Sequence, residues 1–155
     1  LPGSREVSVH LADFPSGLDE LIDSELVKRW ERLVRIREAA NAKIEILRKN
    51  KTVGTSLEAC VLLRASGDTL ALLERYRDEL PTLLIAQAQV ESAQMASTDD
   101  SSVTGETIGI EVGRASGLKC ERCWRYVPSL SNQPDKQGLC DRCVEMLSAA
   151  KVPSP

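Results

Sequence analysis

Two Cys-x₂-Cys pairs, Cys120-Glu121-Arg122-Cys123 and Cys140-Asp141-Arg142-Cys143, stand sixteen residues apart in a chain of 155. A two-residue gap lets a tight turn aim both thiolates at one ion, with backbone amides directed at the sulfurs. Two such turns complete a tetrahedron at about 2.3 Å per Zn–S bond, and the spacing falls in the range of a Cys₄ zinc site. Four thiolates leave no position for water. The expectation is one structural zinc held by Cys120, Cys123, Cys140 and Cys143. Disulfides and a redox Cys-x-x-Cys are the competing readings. Leu1-Pro2-Gly3-Ser4 offers no charged segment leading into an apolar one, so nothing points to export and an oxidising compartment. A redox motif is usually single and set in a thioredoxin-like pattern, which is missing here.

The chain has one histidine, His10, which excludes His-rich metal sites and every catalytic motif that needs two. Aromatic residues are only 3% of the sequence, so the core must be built from Leu, Val, Ile and Ala. No apolar run approaches the roughly 18–20 residues that cross a bilayer. The net charge of −3 excludes a globally basic nucleic-acid coat but leaves room for a local basic patch. The opening residue is Leu1 rather than Met, and we expect a chain cut from a longer protein.

Residues 1–22 read as an irregular lead-in, with a strand candidate across Glu6–His10. From Asp23 the apolar residues Leu26, Val27, Trp30, Leu33, Val34, Ala40, Ile44 and Leu47 recur at three- and four-residue steps, which predicts one apolar helical face. Asp23 or Ser24 can cap this helix of roughly seven turns, and Gly54 lies past its end. Between Lys28 and Lys51, nine basic and three acidic residues give the segment +6, against −3 for the whole chain. Two readings stand side by side. One is a solvated face with pairs such as Glu45–Lys49 and Glu45–Arg48; the other is a stripe that contacts phosphates, toward which the charge asymmetry leans.

Glu58–Arg64 is an apolar run of strand length. Cap chemistry at Ser66-Gly67-Asp68 and a short helix through Leu70 and Leu73 to Tyr76 or Arg77 come next. Pro81 is expected to close that helix, and Leu83-Leu84-Ile85 to begin a second strand running on toward Val90. Residues 92–105 read as a loop. Thr107–Val112 places Ile108, Ile110 and Val112 on one face of a third strand. The fold class is therefore mixed α and β: a long amphipathic helix ending a helical bundle (1–54), a small strand–helix–strand–strand module (55–115), and a Cys₄ zinc ribbon (116–151). Cys60, in the first strand, reads as a small buried hydrophobe.

Around the cysteines stand Lys119, Arg122, Trp124, Arg125, Tyr126, Lys136 and Arg142. Trp124 either packs beneath the metal knuckle or forms a stacking platform flanked by guanidinium groups, as single-stranded RNA recognition requires. Arginines between paired cysteines are expected to project away from the metal.

These residues carry a resemblance. Trp30-Glu31-Arg32-Leu33, Arg37-Glu38-Ala39-Ala40-Asn41 and Val53-Gly54-Thr55-Ser56-Leu57-Glu58-Ala59 resemble the end of the anticodon-binding domain of bacterial-type isoleucyl-tRNA synthetases. Lys119-Cys120-Glu121-Arg122-Cys123-Trp124 and Leu139-Cys140-Asp141-Arg142-Cys143-Val144 are similar to the carboxy-terminal zinc motif of the same family. The resemblance covers nearly the whole chain, the middle module most loosely, and Leu1–Glu6 resembles the segment that precedes the helix. It implies a parent enzyme that joins isoleucine to tRNA(Ile) through an aminoacyl-adenylate, consuming ATP, in the cytoplasm or an organelle. The chain would be its tRNA-binding end and carry no catalytic site: a His-Ile-Gly-His signature needs two histidines, and Lys-Met-Ser-Lys-Ser is absent. The implied partners are the anticodon stem-loop of tRNA(Ile) and the remaining domains of the synthetase, with no membrane. The implied RNA contacts are Arg122, Trp124 and Arg142 beside the zinc, with Arg125 from the stacking reading, and Arg37, Lys43 and Arg48 on the helix.

The zinc ribbon alone is shared with formamidopyrimidine-DNA glycosylases, which would make the partner duplex DNA. That reading has no place for Val53–Ala59. A zinc-stabilised module binding protein is a third reading, opposed by the +6 helix and the arginines of both knuckles.

Overall fold

The computed structural model describes residues 8–13, 16–93 and 104–149. Its longest element is helix α1, Ser24–Lys49, 26 residues or about seven turns. Asp23 caps it by accepting hydrogen bonds from the Glu25 and Leu26 N–H groups at 3.0 and 2.9 Å, satisfying donors the first turn would otherwise leave open. Basic Arg48 and Lys49 occupy the last turn, where a positive charge complements the helix dipole.

Strand β1, Ala59–Ala65, helix α2, Gly67–Arg75, the short helix α3, Leu80–Leu83, and strands β2, Gln87–Ser92, and β3, Ile108–Arg114, form the second layer. The sheet order is β2-β1-β3. β1 runs parallel to β2 (Cys60 opposite Gln87, Ala65 opposite Ser92) and antiparallel to β3 (Ala59 opposite Arg114, Ala65 opposite Ile108). A parallel pair needs a crossover, and α2 with α3 supplies it. Ala59, Val61, Leu63 and Ala65 alternate inward along the central strand and are buried. They join Leu33, Ile36, Ala39, Ala40 and Ile44 of α1, Leu72 and Leu73 of α2, Leu80 and Leu84, and Ile108 and Ile110 in one hydrophobic core.

The apolar face of α1 differs from the expected one. Leu33, Ala40 and Ile44 are buried as the periodicity requires, but so are Ile36 and Ala39, while Leu26, Val27, Trp30 and Val34 are exposed. The exposed set lies roughly a quarter turn around the helix from the buried set. It also lies on the N-terminal half, and geometry explains this: α1 is about 39 Å long, whereas a seven-residue strand spans about 23 Å. The sheet runs out before the helix does.

Other differences are local. Pro81 sits in the first turn of α3 rather than ending α2; there its missing N–H is no loss and its fixed φ suits the helix. Leu80 and Leu84 are both buried, one helical turn apart. Of the leucines expected to start a strand, Leu83 therefore ends α3 and Leu84 caps it. Ile85 has φ +51°, and the strand begins two residues later. Cys60 is half-buried, since it points away from the core that Ala59 and Val61 enter. In the lead-in, Val9–Leu11 is a short 3-10 helix; Leu1–Val7 lie outside the described residues, as do 94–103 of the expected loop.

A two-stranded hairpin, β4, Leu118–Lys119, and β5, Tyr126–Val127, and a helix α4, Asp141–Ala149, complete the described residues. No helix among the described residues is long and apolar enough to cross a membrane.

Candidate metal centre and its basic surface

The hairpin carries the first cysteine pair at its turn. Cys120 N–H donates to Arg125 O and Trp124 N–H to Cys120 O, both at 2.9 Å, closing a knuckle with Cys120 and Cys123 on its inner side. The second pair is delivered by the start of α4, where Val144 N–H donates to Cys140 O at 3.0 Å. The two knuckles are laced together: Glu121 N–H donates to Gly138 O and Gly138 N–H to Ser131 O, both at 3.1 Å. Gly138 has φ +77°, a left-handed backbone that a side chain would strain.

The four sulfurs lie within 4.8 Å of one another, and Cys123 Sγ is 3.7 Å from Cys140 Sγ. A tetrahedron with Zn–S bonds near 2.3 Å has sulfur–sulfur edges of about 3.8 Å, so the observed separation fits a shared ion. It is far longer than a disulfide bond of about 2.05 Å. Cys120, Cys140 and Cys143 are buried and Cys123 half-buried, with Val127, Leu130 and Leu139 packed around them. The site holds one structural zinc; bound there, the metal supplies a cross-link between two knuckles that share little core of their own.

The electrostatics favour a thiolate first at Cys120. Burial opposes its ionisation, yet backbone N–H groups of Cys123, Cys140 and Arg122 outweigh burial and bring the thiol down to about 6. The Cys140 N–H reaches Cys120 Sγ at 3.3 Å. Burial, reinforced by the neighbouring sulfurs of Cys143, Cys123 and Cys120, pushes Cys140 up to about 12, and burial raises Cys123 as well. A cluster of four sulfurs cannot ionise fully without a cation among them.

Trp124 does not pack beneath the knuckle. It is 59% exposed, has φ +63°, and carries the Lys119 ammonium 6.0 Å from its ring centroid. Arg142 is exposed, with no hydrogen-bond or ion-pair partner among the described residues. Arg122 departs from expectation: its Nη1 turns back to Cys143 Sγ at 3.7 Å. Arg125 donates from Nη2 to Thr82 Oγ1 at 2.9 Å, which ties the ribbon to the α/β layer. Arg125 and Arg142 line one hollow with Val127, Pro128 and Ser129.

The basic helix divides. Arg29 donates to the Tyr76 hydroxyl at 3.2 Å, Arg35 to Thr104 O at 2.9 Å, and Lys43 to Ile110 O at 2.7 Å. Arg32 grips Glu106 through two bonds. Four of the nine basic residues are therefore tied back to the α/β module. Arg48 pairs with Glu45, while Arg37 is half-buried with no such partner among the described residues. The structure thus groups Arg122, Trp124, Arg125 and Arg142 at the metal centre and leaves Arg37, Lys43 and Arg48 on a separate element. Sequence reasoning missed Glu106, Thr82 and Gln87; single polar residues in apolar or edge segments carry no periodic signal.

Comparison with known proteins adds a family. Residues 117–145 match the zinc finger found in FPG and IleRS. Almost the whole chain is similar to isoleucine–tRNA ligases. That of Syntrophotalea carbinolica is 39% identical over 154 residues, covering 96% of this chain and 16% of the relative. That of Geobacter sulfurreducens is 36% identical over 144 residues, covering 92% and 16%. That of Thermotoga petrophila is 37% identical over 139 residues, covering 89% and 15%. The chain spans about one sixth of the length of these curated relatives.

Proposed function

We propose that the chain is the tRNA-binding end of an isoleucine–tRNA ligase, the enzymes it resembles over nearly its whole length while spanning about one sixth of theirs. The whole enzyme attaches isoleucine to tRNA(Ile) with ATP by way of an isoleucyl-adenylate, in the cytoplasm or an organelle. Activation belongs to its other domains; this end holds the anticodon stem-loop. The zinc fixes the knuckles, Trp124 stacks on an unpaired base, and Arg125 and Arg142 with Arg37 and Arg48 neutralise phosphates, whereas Arg122 and Lys43 are held inward by Cys143 and the Ile110 carbonyl.

The observation that carries this reading is Trp124, a large ring left in solvent beside a cation on a rigid metal-fixed turn. A base can stack there without disturbing the fold, and every base has a π-face to offer. The glycosylase reading is not favoured, because the match to the ligases runs through α1 and the α/β layer as well as the ribbon.

The test is a gel shift of the zinc-loaded chain against tRNA(Ile) and duplex DNA at matched salt. The reading requires the tRNA to be retarded first, with log Kd rising linearly with log salt as the few neutralised phosphates dictate. Equal affinity for the duplex would sink it.

A further inference from the structure

The segment joining the sheet to the ribbon, Ala115-Ser116-Gly117, is short and is held at every residue. Ala115 N–H donates to Glu58 O at 2.7 Å, and Ala115 is buried. Ser116 has both backbone groups engaged by one side chain: its N–H donates to Gln87 Oε1 at 3.3 Å and its C=O accepts from Gln87 Nε2 at 3.2 Å. The Gln87 amide thus takes the place a neighbouring strand's peptide would take. Gly117 has φ +103°, and a Cβ there would collide with the Val127 carbonyl of β5. Beyond the segment, Arg125 reaches Thr82 at 2.9 Å. Leu57, Pro81, Ala86 and Tyr126 line the seam between the two layers.

We infer that Gln87 is a positioning residue that latches the zinc ribbon to the α/β layer, so that the two move as one rigid body. A three-residue tether with open backbone groups would swing. Here its peptide groups are satisfied at fixed places, and the edge strand β2 supplies the partner. Trp124 and the arginines of the knuckles are therefore presented at a fixed distance from α1. The consequence for RNA binding rests on the function proposed above; the latch itself does not.

Gln87→Ala removes both bonds to Ser116 and leaves the core and the four cysteines untouched. With both bonds gone, the open state of the tether should become about tenfold more populated. Trypsin cleavage between Arg114 and Ala115, read by mass spectrometry, reports that population when closing outpaces cleavage, so it should accelerate by about the same factor. Amide ¹⁵N relaxation should give one correlation time for both layers in the wild type and a shorter one for the ribbon in the variant. Gln87→Glu keeps the size but sets a carboxylate oxygen against the Ser116 carbonyl, and should accelerate cleavage as well. Zinc content should stay at one per chain in all three proteins. Unchanged cleavage and a single correlation time in Gln87→Ala would overturn the latch. In a parallel tRNA titration, Gln87→Ala should weaken binding through positioning alone. A wild type that binds no tRNA overturns the proposed function instead, and the latch still stands or falls on cleavage and relaxation.

Discussion

Arg32 of α1 holds Glu106 by two parallel bonds, Nε to Oε1 at 2.6 Å and Nη2 to Oε2 at 2.7 Å. Glu106 is nearly buried and also accepts from Thr69 Oγ1 at 2.7 Å. The Arg32 guanidinium, with help from Thr69 and against burial, holds the Glu106 carboxyl below its usual range. A depressed pKa means the unfolded chain takes up the proton first. The stabilisation is therefore complete above about pH 4.5 and is lost as pH falls through the folded-state value. Glu106→Gln should lower stability by about 2 kcal/mol, the low side of a charged bond because Arg32 is partly in solvent. It should also flatten the acid limb of a denaturation series; an acid limb identical to the wild type would show that the pair contributes nothing.

The placement of the core on α1 gives a second prediction. Ile36 is 1% exposed and Val34 is 37% exposed, although they stand two residues apart. Ile36→Ala should cost about 2–4 kcal/mol, and Val34→Ala less than about 0.5. Urea denaturation of the two variants decides it, and comparable losses would mean that the helix is rotated from its described position.

The same contrast marks how far the fold was legible in the sequence. The existence of α1, its Asp23 cap, strands β1 and β3, and the four-cysteine cluster all have local signals: periodicity, a capping side chain, alternation, a spacing. Which stripe of α1 is buried has none, because Leu26–Val34 and Leu33–Ile44 are both apolar and only the side on which the sheet packs selects between them. The same holds for the cations. Arg32 and Lys43 look like surface charges in sequence, and become internal ties only because Glu106 and the Ile110 carbonyl, distant in sequence, face them. At the metal site the ligands were legible from spacing, whereas the inward turn of Arg122 and the exposure of Trp124 depend on the knuckle's backbone.

Trp124 offers a third prediction, since backbone and ring can be separated. Its φ of +63° is a left-handed conformation that costs an ordinary side chain roughly 1–2 kcal/mol. Trp124→Gly should therefore raise the stability of the ribbon by about 1 kcal/mol relative to Trp124→Ala, while both variants lose tRNA affinity equally. Melting curves and a binding titration on the same samples check this. A ring that packed under the metal would lower the melting temperature in both.

The division of labour in a whole ligase gives a fourth. Under the proposed function, adenylate formation belongs to domains away from the knuckles, whereas transfer needs the tRNA held so that its acceptor end reaches the active site, where small misplacements cost rate steeply. Cys143→Ser in the full-length enzyme should spare isoleucine-dependent pyrophosphate exchange and impair tRNA charging. Equal loss of both half-reactions would assign the zinc a global folding role.

The central claim is that the metal-fixed knuckle presents Trp124 to RNA, and one titration tests it most directly. Binding of tRNA(Ile) is measured by fluorescence anisotropy at fixed salt for the zinc-loaded chain, the chelated chain, the chelated chain refilled with zinc, and zinc-loaded Trp124→Ala. A stacked base is worth about 1–3 kcal/mol, or roughly 5- to 150-fold in Kd. Chelation should unfold the ribbon and weaken binding by at least that factor, refilling should restore it, and Trp124→Ala should weaken it with zinc still bound. An affinity unchanged by chelation and by Trp124→Ala would contradict the account and move tRNA binding off the ribbon.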